Sequence, residues 1–304
     1  MTVDGDVEQG RPEAIRAVPV RHPGRWVAAA VVLVLIAMFV NFLLTSDALN
    51  WAEQRKYVFS IAVLKGVRNT ILLTIAAMGG GIVLGTVLAL MRLSPNPLLS
   101  GAAWFYLWFF RGTPLYTQLL IWGAVGSLLP TIGIGIPFGP EFHTWQTQSL
   151  VTAMIAAGLG LILNEAAYMA EIIRAGILSV DEGQQEAASA LGMSRMQTMR
   201  RIVLPQAMRV IIPPTGNEAL STMKNTSLVA AIPFSELTFT AQTIYANTYQ
   251  IVPMLIMACL WYLFLSSLMM VGQHYLERHY SRGVGRNGSS REPRIRLRGG
   301  GGGQ

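Results

Sequence analysis

Five ionisable residues fall inside stretches apolar enough to cross a membrane: Arg111, Glu165, Glu171, Glu218 and Lys224. A charge at that depth costs several kcal/mol unless it meets a partner or water, so each is a candidate for handling a polar solute. Asn164, Tyr168 and Glu171 are spaced i, i+4, i+7 and share one face of a helix, with Glu165 about 100° round from Asn164. Glu171 has a local alternative, because Arg174 follows three residues later and can pair with it. Glu165 has no basic neighbour at helical spacing. The stretch PPTGNEALSTMKNTSLVAAI carries two polar stripes: Asn217, Ser221, Lys224 and Ser227, and beside it Glu218, Thr222 and Asn225. A helix so polar does not face lipid; it lines either a bundle interior or a water-filled path. Arg111 sits in RGTPLYTQ, beside Gly112, Thr113, Pro114 and Gln118, where a helix interruption would leave backbone groups free near a charge, as at transporter binding sites. Arg111 is also a possible counter-ion for either glutamate. Two acidic groups at mid-membrane suit a cationic solute, but Arg111 and Lys224 would neutralise them, and both readings stand open.

The elements holding these groups are membrane helices. The chain has 304 residues, 52% hydrophobic and 13% charged, with mean hydropathy +0.43. The charged share is half of the roughly 25% usual in soluble domains. Several apolar runs reach the ~20 residues that span a ~30 Å hydrocarbon core, and no alternating ten-residue strands suggest a barrel. The fold class is an all-α polytopic membrane bundle. Six spans are expected, near 26–46, 66–92, 102–128, 149–173, 207–230 and 250–276. Residues 1–25 read as a tail, 47–65 as an external interfacial segment, and 277–304, ending in arginines and glycines, as a disordered tail. Pro213 and Pro214 predict a break or restart in the fifth span. Gly81 and Gly85 in the second permit either close helix approach or a bend. The segments 129–148 and 231–249 read as outer loops.

Net charge is +7. The arginines concentrate in the tails and between residues 174 and 209, while 129–148 and 231–249 contain no Lys or Arg. That distribution suits membrane topology better than nucleic acid and predicts both termini and the 174–209 segment on the cytoplasmic side. Arg55, Lys56 and Lys65 in the first outer loop run against the rule. The run from Trp26 reads as an uncleaved span. Cys259 is the single cysteine and forms no intrachain disulfide. No P-loop, HExxH, CxxC or GxSxG pattern occurs, so energy must come from a partner or an ion gradient.

The segment 186–205, EAASALGMSRMQTMRRIVLP, is a basic interruption in this apolar chain. Its composition favours helix. Gly192 can supply a positive φ that ends one helix, and Ser194 can cap the next. Glu186-Ala187-Ala188, three residues, Gly192, nine residues, then Ile202-Val203-Leu204-Pro205 resembles the coupling motif of permease subunits of bacterial ABC importers. RNTILLT (68–74), RGTPLYTQLL (111–120), AAYMAEIIRAGI (166–177) and MKNTSLVAAI (223–232) resemble the polar amino acid branch, which takes up histidine, glutamine, glutamate, arginine and similar solutes. The resemblance covers roughly 66–276 and implies a five-helix permease core, to which the first span is an addition.

The resemblance further implies coupling helices at 176–205, with Glu186 and Ala187 contacting an ATPase and Gly192 at the turn. Ala188, Arg195, Leu204 and Pro205 complete the motif. It implies a second permease subunit, two cytoplasmic ATP-binding subunits, an external solute-binding protein, and no cofactor on this chain, ATP being held by the partner. Substrate contacts are then expected among Arg111, Thr113, Gln118, Asn164, Glu165, Tyr168, Glu171, Glu218, Lys224, Asn225 and Ser227. The alternative is a stand-alone ion-coupled transporter of a small polar solute, which would not need a regular cytoplasmic helix pair.

Overall fold

A computed structural model describes residues 23–136, 139 and 141–280; the remainder of the expected tails, 1–22 and 281–304, lies outside them. The chain divides into two units. The first contains α1 (Pro23–Thr45) and a short 3-10 turn, Asp47–Leu49, closed by Asn50 at φ 38°. α1 has no Asp, Glu, Lys or Arg after Arg25, and its length and composition suffice to cross a membrane.

The second unit begins with α2 (Trp51–Tyr57) and α3 (Ile61–Arg92), then α4 (Pro97–Gly112), α5 (Leu115–Gly123) and α6 (Val125–Leu128). The expected outer loop at 129–148 contains an antiparallel hairpin, β1 (Thr131–Gly135) and β2 (Glu141–Gln146), with Thr131 opposite Gln146. α7 (Thr147–Leu150) and α8 (Ala153–Leu178) follow, then α9 (Glu182–Ala190) and α10 (Arg195–Thr198). α8 therefore continues past residue 176, where the coupling helices were expected to start. A π-helical turn, Met199–Val203, leads into α11 (Leu204–Asn225). After a 3-10 turn at Thr226–Ala231 come α12 (Leu237–Thr248) and α13 (Ile251–Tyr280). The segment 231–249, expected as a loop, is thus largely helical. Leu237, Thr240 and Ala241 bury its inner face, and Gly66 of α3 meets it so closely that a Cβ there would lie 2.9 Å from Thr240 Oγ1.

Among the described residues four helices are long and apolar enough to cross a membrane: Gly24–Thr45, α3, α8 and α13. The other two expected spans differ for separate reasons. The third divides at Thr113–Pro114 into α4 and α5. The fifth is α11, whose polar stripes lower its hydropathy. Its expected proline break is absent: α11 runs through Pro213 and Pro214 without interruption. The missing N–H groups of the two prolines leave the carbonyls of Arg209 and Val210 without their usual helix donors. Thr215 donates its hydroxyl to Ile211 O at 2.8 Å. Prolines inside membrane helices are tolerated where such local groups and neighbouring helices satisfy the backbone.

The α3–α8 contact is the centre of the bundle, and Gly81 and Gly85 make it possible. α3 is continuous through both. A Cβ on Gly81 would lie 2.6 Å from Glu165 Cγ, and one on Gly85 2.7 Å from Met169 Cβ and 3.0 Å from Ala166 O. α8 answers with Ala166, Ala167 and Ala170, all buried. Gly79, by contrast, has open space around it. Gly85→Ala is therefore expected to destabilise the protein by roughly 1–3 kcal/mol through overpacking, while Gly79→Ala is neutral or slightly stabilising because alanine favours helix. Thermal unfolding of both variants in detergent checks this; equal midpoints would count against the close contact.

Candidate functional site

α4 ends where Pro114 cannot supply the N–H that a continuing helix needs. Thr113 swings to φ −114°, ψ 146°, and α5 restarts one residue past Pro114. The freed acceptors are gathered by one buried side chain. Gln118 Nε2 lies 2.9 Å from Phe110 O, 3.1 Å from Thr113 O and 2.7 Å from Thr113 Oγ1. Asn164 of α8 donates to Phe110 O at 3.1 Å and to Gln118 Oε1 at 3.2 Å. The break is thereby tied to α8, with Arg111 at its edge. Gln118→Leu is expected to leave those carbonyls unpaired at about 1–3 kcal/mol and to lower the unfolding midpoint in detergent; an unchanged midpoint would refute the clamp.

The break opens one wall of a polar cavity of about 580 Å³ between α4, α5, α8 and α11. Arg111, Thr113, Asn164, Glu165, Tyr168, Glu218 and Asn225 line it, as the sequence groups them. Arg111 places its guanidinium 5.5 Å from the centre of the Tyr168 ring, within cation–π range. Glu165 is 5% exposed; its Oε2 accepts from Thr222 at 2.6 Å, and its buried Oε1 has no hydrogen-bond partner among the described residues. Glu218 is half-buried on the facing helix. The wall therefore joins an aromatic-backed cation to two carboxylates, one with a spare acceptor. A zwitterion with a second positive group matches that set chemically.

Four expected contact residues stand elsewhere. Gln118 is the clamp beneath the break. Glu171 takes the local alternative and pairs with Arg174, at 2.5 Å to Nη2 and 3.2 Å to Nε, in a neighbouring recess. Lys224 is exposed and not among the lining residues. Ser227 is also outside the lining and donates to Lys224 O at 2.7 Å. α11 is rotated so that Glu218, Ser221 and Asn225 face the cavity while Thr222 reaches α8. Ser221, noted only as part of a stripe, joins the lining. Asn217 instead accepts from Gln273 of α13 at 2.8 Å.

One buried group carried no sequence signal strong enough to single it out. Glu236 is fully buried. It caps α12 by accepting from Thr238 N at 2.8 Å and Phe239 N at 2.6 Å, and it accepts from Tyr262 Oη at 2.9 Å. Glu is not among the residues preferred at an N-cap, so neither this helix start nor its buried cap stood out where a loop was expected.

The segment 186–205 forms the expected helix pair. Asp181 caps α9 through Gly183 N at 2.7 Å. Gly192 takes φ +72°, and Met193 N closes the turn on Ala188 O at 3.0 Å. Ser194 and Gln197 form a capping box that starts α10. Ala188 is buried, whereas Glu186, Ala187, Arg195, Leu204 and Pro205 are exposed.

Fold and site define the membrane-embedded part of a solute transporter, with a polar cavity inside and an exposed helix pair outside the spans. Residues 81–282 match the family described as "Binding-protein-dependent transport system inner membrane component". The chain belongs to that family of ABC importer permeases. It is 49% identical over 295 residues to an arginine transport system permease protein of Corynebacterium glutamicum, covering 94% of this chain and 92% of that one. It is 38% identical over 231 residues to a nopaline transport system permease protein of Agrobacterium fabrum, covering 73% and 91%. A solved amino acid ABC transporter crystallised with histidines matches with TM-score 0.60 and 33% identity, covering 72% of this chain and 94% of that one. The chain is a multi-pass inner-membrane permease subunit for amino acid import.

Proposed function

We propose that this permease carries cationic polar amino acids, of which arginine is the type, through the cavity between α4, α5, α8 and α11. The observation that carries the reading is Glu165, a residue of the cavity wall whose buried Oε1 has no hydrogen-bond partner among the described residues. A buried carboxylate oxygen left unpaired is costly, and a guanidinium supplies the donors it lacks. Glu218 adds a second negative group opposite, while Arg111 over Tyr168 suits the α-carboxylate. The relative at 49% identity, an arginine permease, supports the same class.

The chain has no P-loop sequence, so in this reading ATP is bound by two partner subunits and this chain needs no cofactor. They dock on α9 and α10, with Glu186 and Ala187 at the contact. A second permease completes the pathway, an external binding protein delivers the solute, and both termini face the cytoplasm. Uptake of labelled arginine, glutamate and leucine by the reconstituted assembly tests this. ATP-dependent uptake of arginine above the other two is expected. Preference for glutamate, or gradient-driven uptake by the permease without ATPase subunits, would overturn the reading.

A further inference from the structure

Beside the solute cavity lies a second recess of about 410 Å³, lined by Arg92, Arg111, Arg174, Glu171, Trp104 and Trp108 among others. Its charges do not cancel. Glu171 is engaged by Arg174 through both oxygens, and neither Arg92 nor Arg111 makes a close ion pair among the described residues, so one carboxylate is set among three guanidinium groups. Arg92 makes one side-chain contact, from Nη1 to Ser100 Oγ at 3.3 Å. Its Nε is buried and has no hydrogen-bond partner among the described residues. A buried guanidinium N–H with no acceptor carries a desolvation cost that an anion would remove.

The position of the recess narrows the choice of anion. Arg92 is the last residue of α3, and Arg174 lies about one turn from the end of α8. The recess therefore runs from Arg111 at the helix break to the end of the bundle that carries α9, where helices of this length leave the hydrocarbon core. Trp104, Leu107, Trp108 and Arg111 are spaced i, i+3, i+4, i+7 and bring one face of α4 to it. The two tryptophans stack with centroids 6.4 Å apart and 15° between planes. They are 53% and 59% exposed, amphipathic rings of the kind that sit at the membrane interface. A phosphate in the recess would meet the arginines while its acyl chains lay across the indoles.

We propose that this recess binds the phosphodiester headgroup of an anionic phospholipid, with Arg92 as its principal donor and the Trp104–Trp108 face as the bed for the acyl chain. Arginine's planar fork matches phosphate oxygens in pairs, and basic pockets between membrane helices are sites for anionic headgroups. The proposal does not depend on which amino acid is imported.

The test is native mass spectrometry of the assembled transporter, titrated separately with phosphatidylglycerol, with phosphatidylcholine, with inorganic phosphate and with arginine. Retention of phosphatidylglycerol over phosphatidylcholine is expected, with R92Q weakening that preference by about fivefold, the weight of one basic residue beside an anionic lipid. Equal retention of the two lipids by the wild type would overturn the proposal and needs no variant, so a misassembled R92Q does not leave it undecided. An assembled R92Q with wild-type preference would also overturn it. Displacement of the lipid by millimolar inorganic phosphate would assign the recess to a free anion instead. Displacement by arginine would assign it to the solute's exit route. Either displacement refutes the lipid assignment.

Discussion

Glu165→Gln is expected to cut arginine uptake by the reconstituted transporter about ten- to a hundredfold, while sparing assembly. The variant is nearly isosteric, so the close contact with Gly81, where a Cβ would sit 2.6 Å from Glu165 Cγ, stays filled. The hydroxyl of Thr222, now 2.6 Å from Oε2, keeps a possible amide oxygen to donate to. What is lost is the charge at the unpaired Oε1. A hydrogen bond to a charged group contributes roughly 1.5–3 kcal/mol, which corresponds to the stated range because about 1.4 kcal/mol is tenfold. The comparison that isolates the charge is arginine against its neutral isostere citrulline. The wild type should prefer arginine and Glu165→Gln should lose most of that preference. An unchanged ratio would show that Oε1 does not meet the solute's positive group. Glu218 is half-buried and on the opposite helix, so its own substitution should have a smaller effect on the same ratio.

The sequence reveals some of this site directly and hides the rest for identifiable reasons. Asn164, Glu165 and Tyr168 lie where helical spacing and membrane depth place them, because α8 is regular and its small residues fix which face meets α3. Gln118 looks identical to a ligand-binding amide in the sequence. Only the break at Thr113–Pro114, folded back on itself, shows that its donors are already occupied by Phe110 and Thr113. Lys224 and Ser227 belong to a stripe that is real, but rotation of α11 sends the adjacent one toward the cavity. That rotation is set by packing from other helices. Gly176 meets Ile211 so closely that a Cβ would lie 2.3 Å from its Cγ1, and Gln273 holds Asn217. No periodicity along α11 encodes those partners. The continuity of α11 was hidden too, since two adjacent prolines in the sequence signal a break, whereas the structure carries the helix through both.

That continuity bears on the second large effect. Glu186→Lys is expected to leave the permease folded and inserted but to weaken ATPase docking more than about thirtyfold, with uptake falling in step. Glu186 and Ala187 are exposed on α9 while Ala188 turns inward and is buried, so the substitution reaches the face proposed for docking without disturbing the core. Bringing a wrong-sign charge into an interface costs several kcal/mol where it meets a like charge. Gly192→Pro should give the same loss by another route, because φ +72° is closed to proline and the turn between α9 and α10 would not form. Both are measured by co-purification of the ATP-binding subunits and by uptake; normal values in both assays would refute docking at this pair. A push delivered here has a direct path inward. The π-turn at Met199–Val203 passes without a gap into α11, which at 1.5 Å per residue is a rod of roughly 33 Å. Its far half carries Glu218, Ser221 and Asn225 to the cavity wall. Had Pro213 and Pro214 broken the helix, movement of α9 and α10 would have dissipated at the break. If docking at α9 and α10 drives transport as proposed, the unbroken α11 links the pair to the cavity lining, and an insertion of two glycines after Thr215 should uncouple ATP hydrolysis from uptake while leaving docking intact.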